Sequence, residues 1–344
     1  MTHEESGDDW RAHVGEPNEH NAIDLARAGE PGRGREAKTP EQIPPRGWRD
    51  IFWRVFWAVS ENRILSTSGG VAFFALLAIF PGIGAMVSLY GLFADAATIG
   101  EHITLLGGIL PFGVLEIVAE QIRVVAKQQN ETLEAAFVIG LLVTLFSANS
   151  GIAALCDALN VVYGEREKRT VMQLYTTTFL FTLASIVFVI LAITGLIVMP
   201  LALNFIGLAT ATGTLISVIR WPVLFVTVGM SLAFLYRYGP SRKDAKWRWV
   251  TWGSIVAAIL WIAASMLFSW YVATFDSYNR VYGSLGAGIG FMVWLWISAV
   301  IVLLGGEVNA EMEHQTARDT TEGKPKPLGS RGATMADHVG KAQQ

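Results

Sequence analysis

The five longest stretches of this chain without Asp, Glu, Lys or Arg limit its fold more than any other feature. A helix needs about 20 apolar residues to cross a bilayer core of about 30 Å. The stretch 170–219 is long enough for two crossings, divided near Pro200 and Asn204, and the others suffice for one each. The other four span residues 64–94, 135–156, 249–275 and 281–306. The sequence therefore predicts an all-α membrane bundle of six transmembrane helices.

Helices are favoured over a transmembrane barrel, because barrel strands would show short alternating segments instead of long apolar runs. With 52% hydrophobic and 16% charged residues, the chain also has too little charge for a soluble protein of its length. Pro81 lies inside the first predicted helix and should kink it. We expect the six helices near residues 70–93, 135–159, 176–199, 214–237, 250–274 and 285–308.

The flanking segments are polar and lack a hydrophobic period, which predicts a disordered N-terminal tail over 1–45 and a disordered C-terminal tail over 313–344. Residues 46–66 predict an amphipathic helix, either lying on the membrane surface or packed on the end of the bundle. Its apolar stripe comprises Trp48, Ile51, Phe52, Val55, Phe56 and Val59. A second amphipathic helix is predicted over 114–128, on lipid or as a lid on the bundle.

The loops differ in basic residues, and this asymmetry predicts the orientation of the chain. Lys and Arg concentrate before the first helix and after the second and fourth, whereas the loop after the third has none and the loop after the fifth has only Arg280. Both termini should therefore be cytoplasmic. The net charge of −3 indicates little about partners.

Signatures of enzymes are sparse. Nearly all six histidines lie in the tails, and none has a partner at metal-ligand spacing. Cys156 is the only cysteine, so a disulfide framework and a thiolate zinc site are excluded. There is no GxxxxGK[ST] phosphate loop. We therefore predict no catalytic residues, no metal and no cofactor.

Polar residues inside membrane helices are costly to bury unless they have partners or a task. On the second helix these are Asn149, Asp157 and Asn160, which could line a cavity or form hydrogen bonds between helices. Glu307, near the end of the sixth helix, could face Arg237 or Asp157, or belong to a solvated helix end. We keep these residues as candidates for transport or gating.

The segment FDSYNRVYGSLGAGIG (275–290) joins the last two helices. It is first a turn on the outer face, followed by glycines that enter a packed helix. Its polar residues exceed what a turn requires, so we predict an outer gate or anion contact. The candidates there are Asp276, Tyr278, Asn279, Arg280 and Tyr282.

Several spaced motifs resemble the YihY/BrkB family of bacterial inner-membrane proteins, over residues 44–312. They are SGGVAFFALLAIFPG (68–82), SANSGIAALCDALNVVYGEREKR (147–169), FLYRYGPS (234–241), FDSYNRVYGSLGA (275–287) and LLGGEVNAE (303–311). The resemblance implies six helices, an inner-membrane location, a role in envelope integrity, and export of a solute or lipid. Family members have also carried the name ribonuclease BN.

Hydrolysis of RNA needs metal ligands or an acid–base pair, and the residues supply neither. We therefore predict a non-enzymatic transporter or export permease that contacts the lipid bilayer, moves a small solute or lipid, and binds no nucleic acid. A homo-oligomer is compatible with this prediction. The alternative is a structural envelope protein whose buried polar residues only fix the packing of the helices.

Overall fold

The computed structural model describes residues 19–93, 130–193, 209–274 and 284–343. These residues form helices joined by short loops, and the only β-type pairing within them is an isolated bridge between Ala245 and Thr321. The predicted all-helical class is confirmed. The helices are α1 (Glu19–Ala28), α2 (Pro45–Glu61), α3 (Ile64–Phe93), α4 (Asn130–Val162), α5 (Val171–Ile193), α6 (Ala209–Tyr238), α7 (Trp247–Thr274), α8 (Ser284–Glu313) and α9 (Thr334–Asp337).

Helices α4 to α8 each contain a segment long and apolar enough to cross a membrane. Helices α2 and α3 together form a sixth possible span, with a bend of 63° between them. The bend falls at Asn62 and Arg63, and Arg63 has a φ of 50°. Helix α3 continues through Pro81. The kink expected at Pro81 therefore stays a prediction.

The outer surface of the bundle is apolar. Met172 and Leu180 on α5 are 77% and 62% exposed, and Phe146 on α4 is 75% exposed. Hydroxyl groups on these helices bond to carbonyls one turn earlier, as Thr176 does to Met172 and Ser150 does to Phe146. Such a surface suits hydrocarbon, because the polar groups it carries are already satisfied by the helix itself.

Helices α7 and α8 approach each other closely at two glycines. A Cβ atom added to Gly253 would lie 2.1 Å from the carbonyl oxygen of Gly305. The side chain of Asn309 fills the adjacent position, accepting from the Gly253 N–H at 2.8 Å and donating to the Val250 carbonyl at 3.1 Å. Small residues thus let the two backbones meet, and one amide links them.

Of the two flanking segments, for which disorder was expected over 1–45 and 313–344, residues 1–18 and 344 lie outside the described residues. Residues 19–43 and 314–343, here called the terminal cap, fold together over one end of the bundle. Arg35 donates to the carbonyls of Gln315 and Gly340, and Arg331 donates to those of Ala317 and Ala336. These buried arginines satisfy loop carbonyls, and they add to a small apolar cluster that includes Ala28, Leu328 and Val339.

Helix α2 packs against this cap with a charged face. Asp50 and Arg54 are buried, whereas the face bearing Phe52, Phe56 and Trp57 is exposed. Arg54 bonds to Glu311 on α8 and to Gln315 in the cap. The predicted stripe included Phe52 and Phe56 but not Arg54. The buried face of α2 therefore packs on the end of the bundle. The exposed aromatic face of α2 remains available for a membrane surface.

Candidate functional site

The polar residues predicted on the second membrane helix lie in three different environments along α4. Asn149 is half-buried, with its Oδ1 3.5 Å from the Thr182 hydroxyl of α5, and it lines a small cavity of about 320 Å³. Asp157 is exposed on the surface of α4. Asn160 is buried. The structure therefore does not bring the three together in one cavity.

Asn160 holds two loops at the capped end of the bundle. Its Nδ2 donates to Glu167 at 3.0 Å, and its Oδ1 accepts from the Ser241 N–H at 2.7 Å. Because both ends of the amide are used, this residue ties the loop after α4 to the loop after α6. The predicted alternative was hydrogen bonds between helices, whereas those of Asn160 reach two loops.

Glu307 is fully buried on α8. Its Oε1 accepts from the Asn62 amide at 2.5 Å, at the bend between α2 and α3. Neither predicted neighbour contacts it in the described part of the chain: Arg237 bonds to the Ala245 carbonyl and to Glu322, and Asp157 is exposed. Glu307 therefore belongs to the interior and not to a solvated helix end.

Near Glu307 lie buried polar groups that sequence reasoning did not single out. Arg242 pairs with Glu313 at 2.9 Å, both side chains being fully buried, and its guanidinium lies 4.0 Å from the centre of the Tyr163 ring. Burial raises the pKa of the Tyr163 hydroxyl above its ordinary value. We call Tyr163, Arg242, Glu307 and Glu313 the polar seam.

The polar seam is incompletely satisfied. The Tyr163 hydroxyl, Glu307 Oε2, Glu313 Oε1 and two nitrogens of Arg242 have no hydrogen-bond partner among the described residues. Buried polar atoms normally have a partner, so atoms without one often mark a functional site or a place for water or an ion. The seam is therefore a candidate site in its own right.

A larger cavity of about 700 Å³ lies between the beginning of α5 and the end of α6. We call it the side cavity. Its mouth is formed by the loops around residues 168 and 241, and its interior by apolar residues of the two helices. The residues that line it are Lys168, Arg169, Gln173, Thr177, Leu180, Phe181, Ala184, Phe234, Tyr238, Pro240, Ser241, Arg242, Lys243, Asp244 and Gly332.

The mouth of the side cavity is basic. Lys168 pairs with Glu165 at 2.7 Å and keeps 57% of its side chain exposed. Arg169 binds both carboxylate oxygens of Glu167, and these hydrogen bonds lower the pKa of that carboxyl to about 2. Lys243 is exposed, and its ammonium has no acid partner in the parts of the chain that are described. An anion would meet several N–H donors here.

Sequence reasoning counted Lys168 and Lys243 only as orientation charges and did not predict the side cavity. The predicted outer site of Asp276, Tyr278, Asn279, Arg280 and Tyr282 lies outside the described residues and stays a prediction. Within the described residues, no three His, Cys, Asp or Glu side chains lie close enough to hold a metal. Cys156 is a buried free thiol.

Comparison with known proteins supplies the family. A family model described as virulence factor BrkB matches residues 55–328. The putative ribonuclease-like protein YfkH of Bacillus subtilis is 29% identical over 76% of this chain and 93% of its own length. A UPF0761 membrane protein of Alkalilimnicola ehrlichii is 25% identical over 91% of this chain and 70% of its own.

A UPF0761 membrane protein of Haemophilus influenzae is 21% identical over 76% of this chain and 94% of its own length. No solved structure matches the chain. The matched residues include the lining of the small cavity, the lining of the side cavity except Gly332, the polar seam and part of the terminal cap. The chain therefore belongs to the virulence factor BrkB family of membrane proteins.

Proposed function

We propose that this protein is a permease that moves a small solute or lipid across the bacterial inner membrane, with both termini in the cytoplasm. The side cavity is the observation that carries the proposal. It has basic groups at its mouth and apolar walls along α5 and α6. Its volume of about 700 Å³ falls within the ~300–1,000 Å³ range of ligand sites.

The polar seam supports passage through the interior. Its unpartnered atoms on Tyr163, Arg242, Glu307 and Glu313 are buried near the capped end of the bundle, where they offer donors and acceptors to water, an ion or a polar group in transit. In this proposal Glu307 and the seam form the inner gate. The outer gate is formed by Asp276 to Tyr282, as the sequence predicted.

A structural envelope protein is the second candidate function. The terminal cap favours it, because Arg54, Glu311 and Gln315 tie α2, α8 and the cap together through buried hydrogen bonds. A scaffold would need such rigidity and no pathway. The two candidates differ in one property, which is whether any solute or lipid crosses the membrane.

The relative named ribonuclease-like raises a third function, which we do not propose. The described part of this chain holds no cluster of metal ligands for such a reaction. A ribonuclease assay on the purified protein checks this directly. Cleavage that persists through repeated purification and is lost in a site variant would overturn our proposal.

Flux tests the proposed function. Proteoliposomes loaded with a mixed metabolite pool, or with labelled lipid in one leaflet, are followed by mass spectrometry or leaflet-specific quenching. We expect selective movement that Glu307→Gln reduces, because glutamine keeps an acceptor for Asn62 but removes the carboxyl. Absence of movement in wild type for every probe would favour the scaffold.

A further inference from the structure

The side cavity joins a polar mouth to a wall that reaches into the depth of the membrane. Val171 begins α5 at the mouth, and Ala184 lines the cavity 13 residues later. At 1.5 Å per residue the wall extends about 20 Å along the helix axis. Because the hydrocarbon core is about 30 Å thick, the inner part of the cavity faces acyl chains rather than water.

Gln173 and Thr177 line the part of the wall nearest the mouth, and the inner part beyond them is apolar. Leu180, Phe181 and Ala184 line it from α5, and Phe234 lines it from α6. Leu180 and Phe234 are exposed. A soluble anion would bury no part of itself against such side chains, whereas a lipid chain would gain contact with all of them.

The mouth offers hydrogen-bond donors for one anionic group. Glu165 and Glu167 pair with Lys168 and Arg169, which leaves the ammonium of Lys243 without an acid partner in the described ranges. Lys168 uses one acid partner and has three ammonium protons, so donors remain. Asp244 is the acidic residue in the lining.

Aromatic rings flank the mouth at the level where the chain leaves the apolar region. Tyr238 stacks near Phe234, and Trp247 packs edge-on against Phe234 with ring centres 5.1 Å apart. The Arg237 guanidinium lies 4.5 Å from the centre of the Trp247 ring. Tyr and Trp prefer the headgroup layer, so the basic mouth lies at headgroup depth.

We propose that the side cavity binds an anionic glycerophospholipid from the adjacent leaflet. The phosphate accepts from Lys168 and Lys243, and an acyl chain lies along Leu180, Ala184 and Phe234. The lipid assignment names the substrate class of the permease. It rests on the proposed function only for the movement of the lipid, because binding does not require movement.

Lipid binding is tested on the full-length protein in detergent by native mass spectrometry. The probes are phosphatidylglycerol, phosphatidylcholine and inorganic phosphate. Lys243→Gln removes the mouth cation, and Ala184→Phe fills the apolar part at an exposed position that tolerates a larger side chain. Lys324→Gln is the matched control, since Lys324 is exposed and does not line the cavity.

We expect phosphatidylglycerol to bind more tightly than phosphatidylcholine. Lys243→Gln should weaken the binding of phosphatidylglycerol about fivefold. Raised salt should reduce this difference in affinity between wild type and the variant. Ala184→Phe should weaken the binding of both lipids about tenfold, because the larger side chain excludes the acyl chain. Lys324→Gln should leave both affinities unchanged.

Three results would overturn the assignment. Equal affinity for the two lipids would show that the mouth does not select an anion. If inorganic phosphate displaced phosphatidylglycerol completely, the ligand would be a soluble anion. Binding unaffected by both Lys243→Gln and Ala184→Phe would place the lipid elsewhere.

The same variants separate the lipid assignment from the permease itself. If wild type binds phosphatidylglycerol in the expected manner but moves nothing in vesicles, the permease proposal fails and the binding site stands. If flux of a soluble solute is observed while lipid binding is insensitive to both variants, the permease stands and the lipid assignment fails.

Discussion

The capped end of this molecule and its membrane-spanning part are held together in different ways. At the capped end, charged side chains are buried and paired, as Arg54 with Glu311 and Arg242 with Glu313. In the spanning part, small residues such as Gly253 and Gly305 let backbones touch. Water is present at one end and lipid surrounds the other, so hydrogen bonds dominate the first and close packing the second.

The largest expected effect comes from breaking the buried pair at the capped end. Arg54→Ala should reduce the free energy of unfolding by about 3–5 kcal/mol, because it leaves Glu311 as a buried charge whose remaining side-chain partner among the described residues is His314. Thermal unfolding in detergent measures the loss. Arg49→Ala is the control, since Arg49 lies on the same helix and is exposed.

A loss in Arg54→Ala no greater than that in Arg49→Ala would contradict the view that ion pairs hold the capped end.

The matching test in the spanning part is Gly253→Ala. The added Cβ would meet the Gly305 carbonyl and Asn309, so α7 and α8 must separate at a cost of about 1–3 kcal/mol. The same unfolding assay reports it.

Gly229→Ala is the control for that substitution. Gly229 lies within α6 and has open space around the position of a Cβ atom. Alanine there should be neutral or stabilise the helix by up to about 1 kcal/mol. Equal destabilisation by the two alanines would show that close backbone approach does not hold the spanning part.

Much of the spanning part could be predicted from sequence, because runs without charge are a direct consequence of the solvent around them. The capped end could not, because polar composition normally indicates disorder, and nothing local marks Arg35 or Arg331 as buried. The sequence marks Asn160 only as a polar residue on a membrane helix, and its partners Glu167 and Ser241 come from two separate loops. Lys168 and Lys243 became site candidates only once folding had placed them together.

A smaller effect should appear as a pH dependence at the capped end. Arg169 lowers the pKa of Glu167 from 4.5 to about 2 in the folded protein. The stabilisation that the pair of Arg169 and Glu167 contributes is therefore fully present above about pH 4.5. It is lost as the pH falls toward 2. We expect wild type to exceed Glu167→Gln in unfolding temperature at pH 6, with the difference shrinking at lower pH. A constant difference would contradict this.

The smallest effect on stability is expected at Asp157. Its side chain is exposed on α4, so Asp157→Asn should change the free energy of unfolding by less than about 0.5 kcal/mol. This makes it a clean probe of transport. If flux falls while the unfolding curve is unchanged, Asp157 acts in transport as the sequence analysis predicted; unchanged flux would remove it from the candidate gate.

The proposal that the permease moves lipid depends on the side cavity as the passage. The direct measurement is movement of labelled phosphatidylglycerol between leaflets of proteoliposomes, comparing wild type, Ala184→Phe and Gly229→Ala at equal protein content. We predict that wild type and Gly229→Ala move the lipid at the same rate and that Ala184→Phe is slowed at least about tenfold. Equal rates for all three, or no movement above empty vesicles, would contradict the proposal.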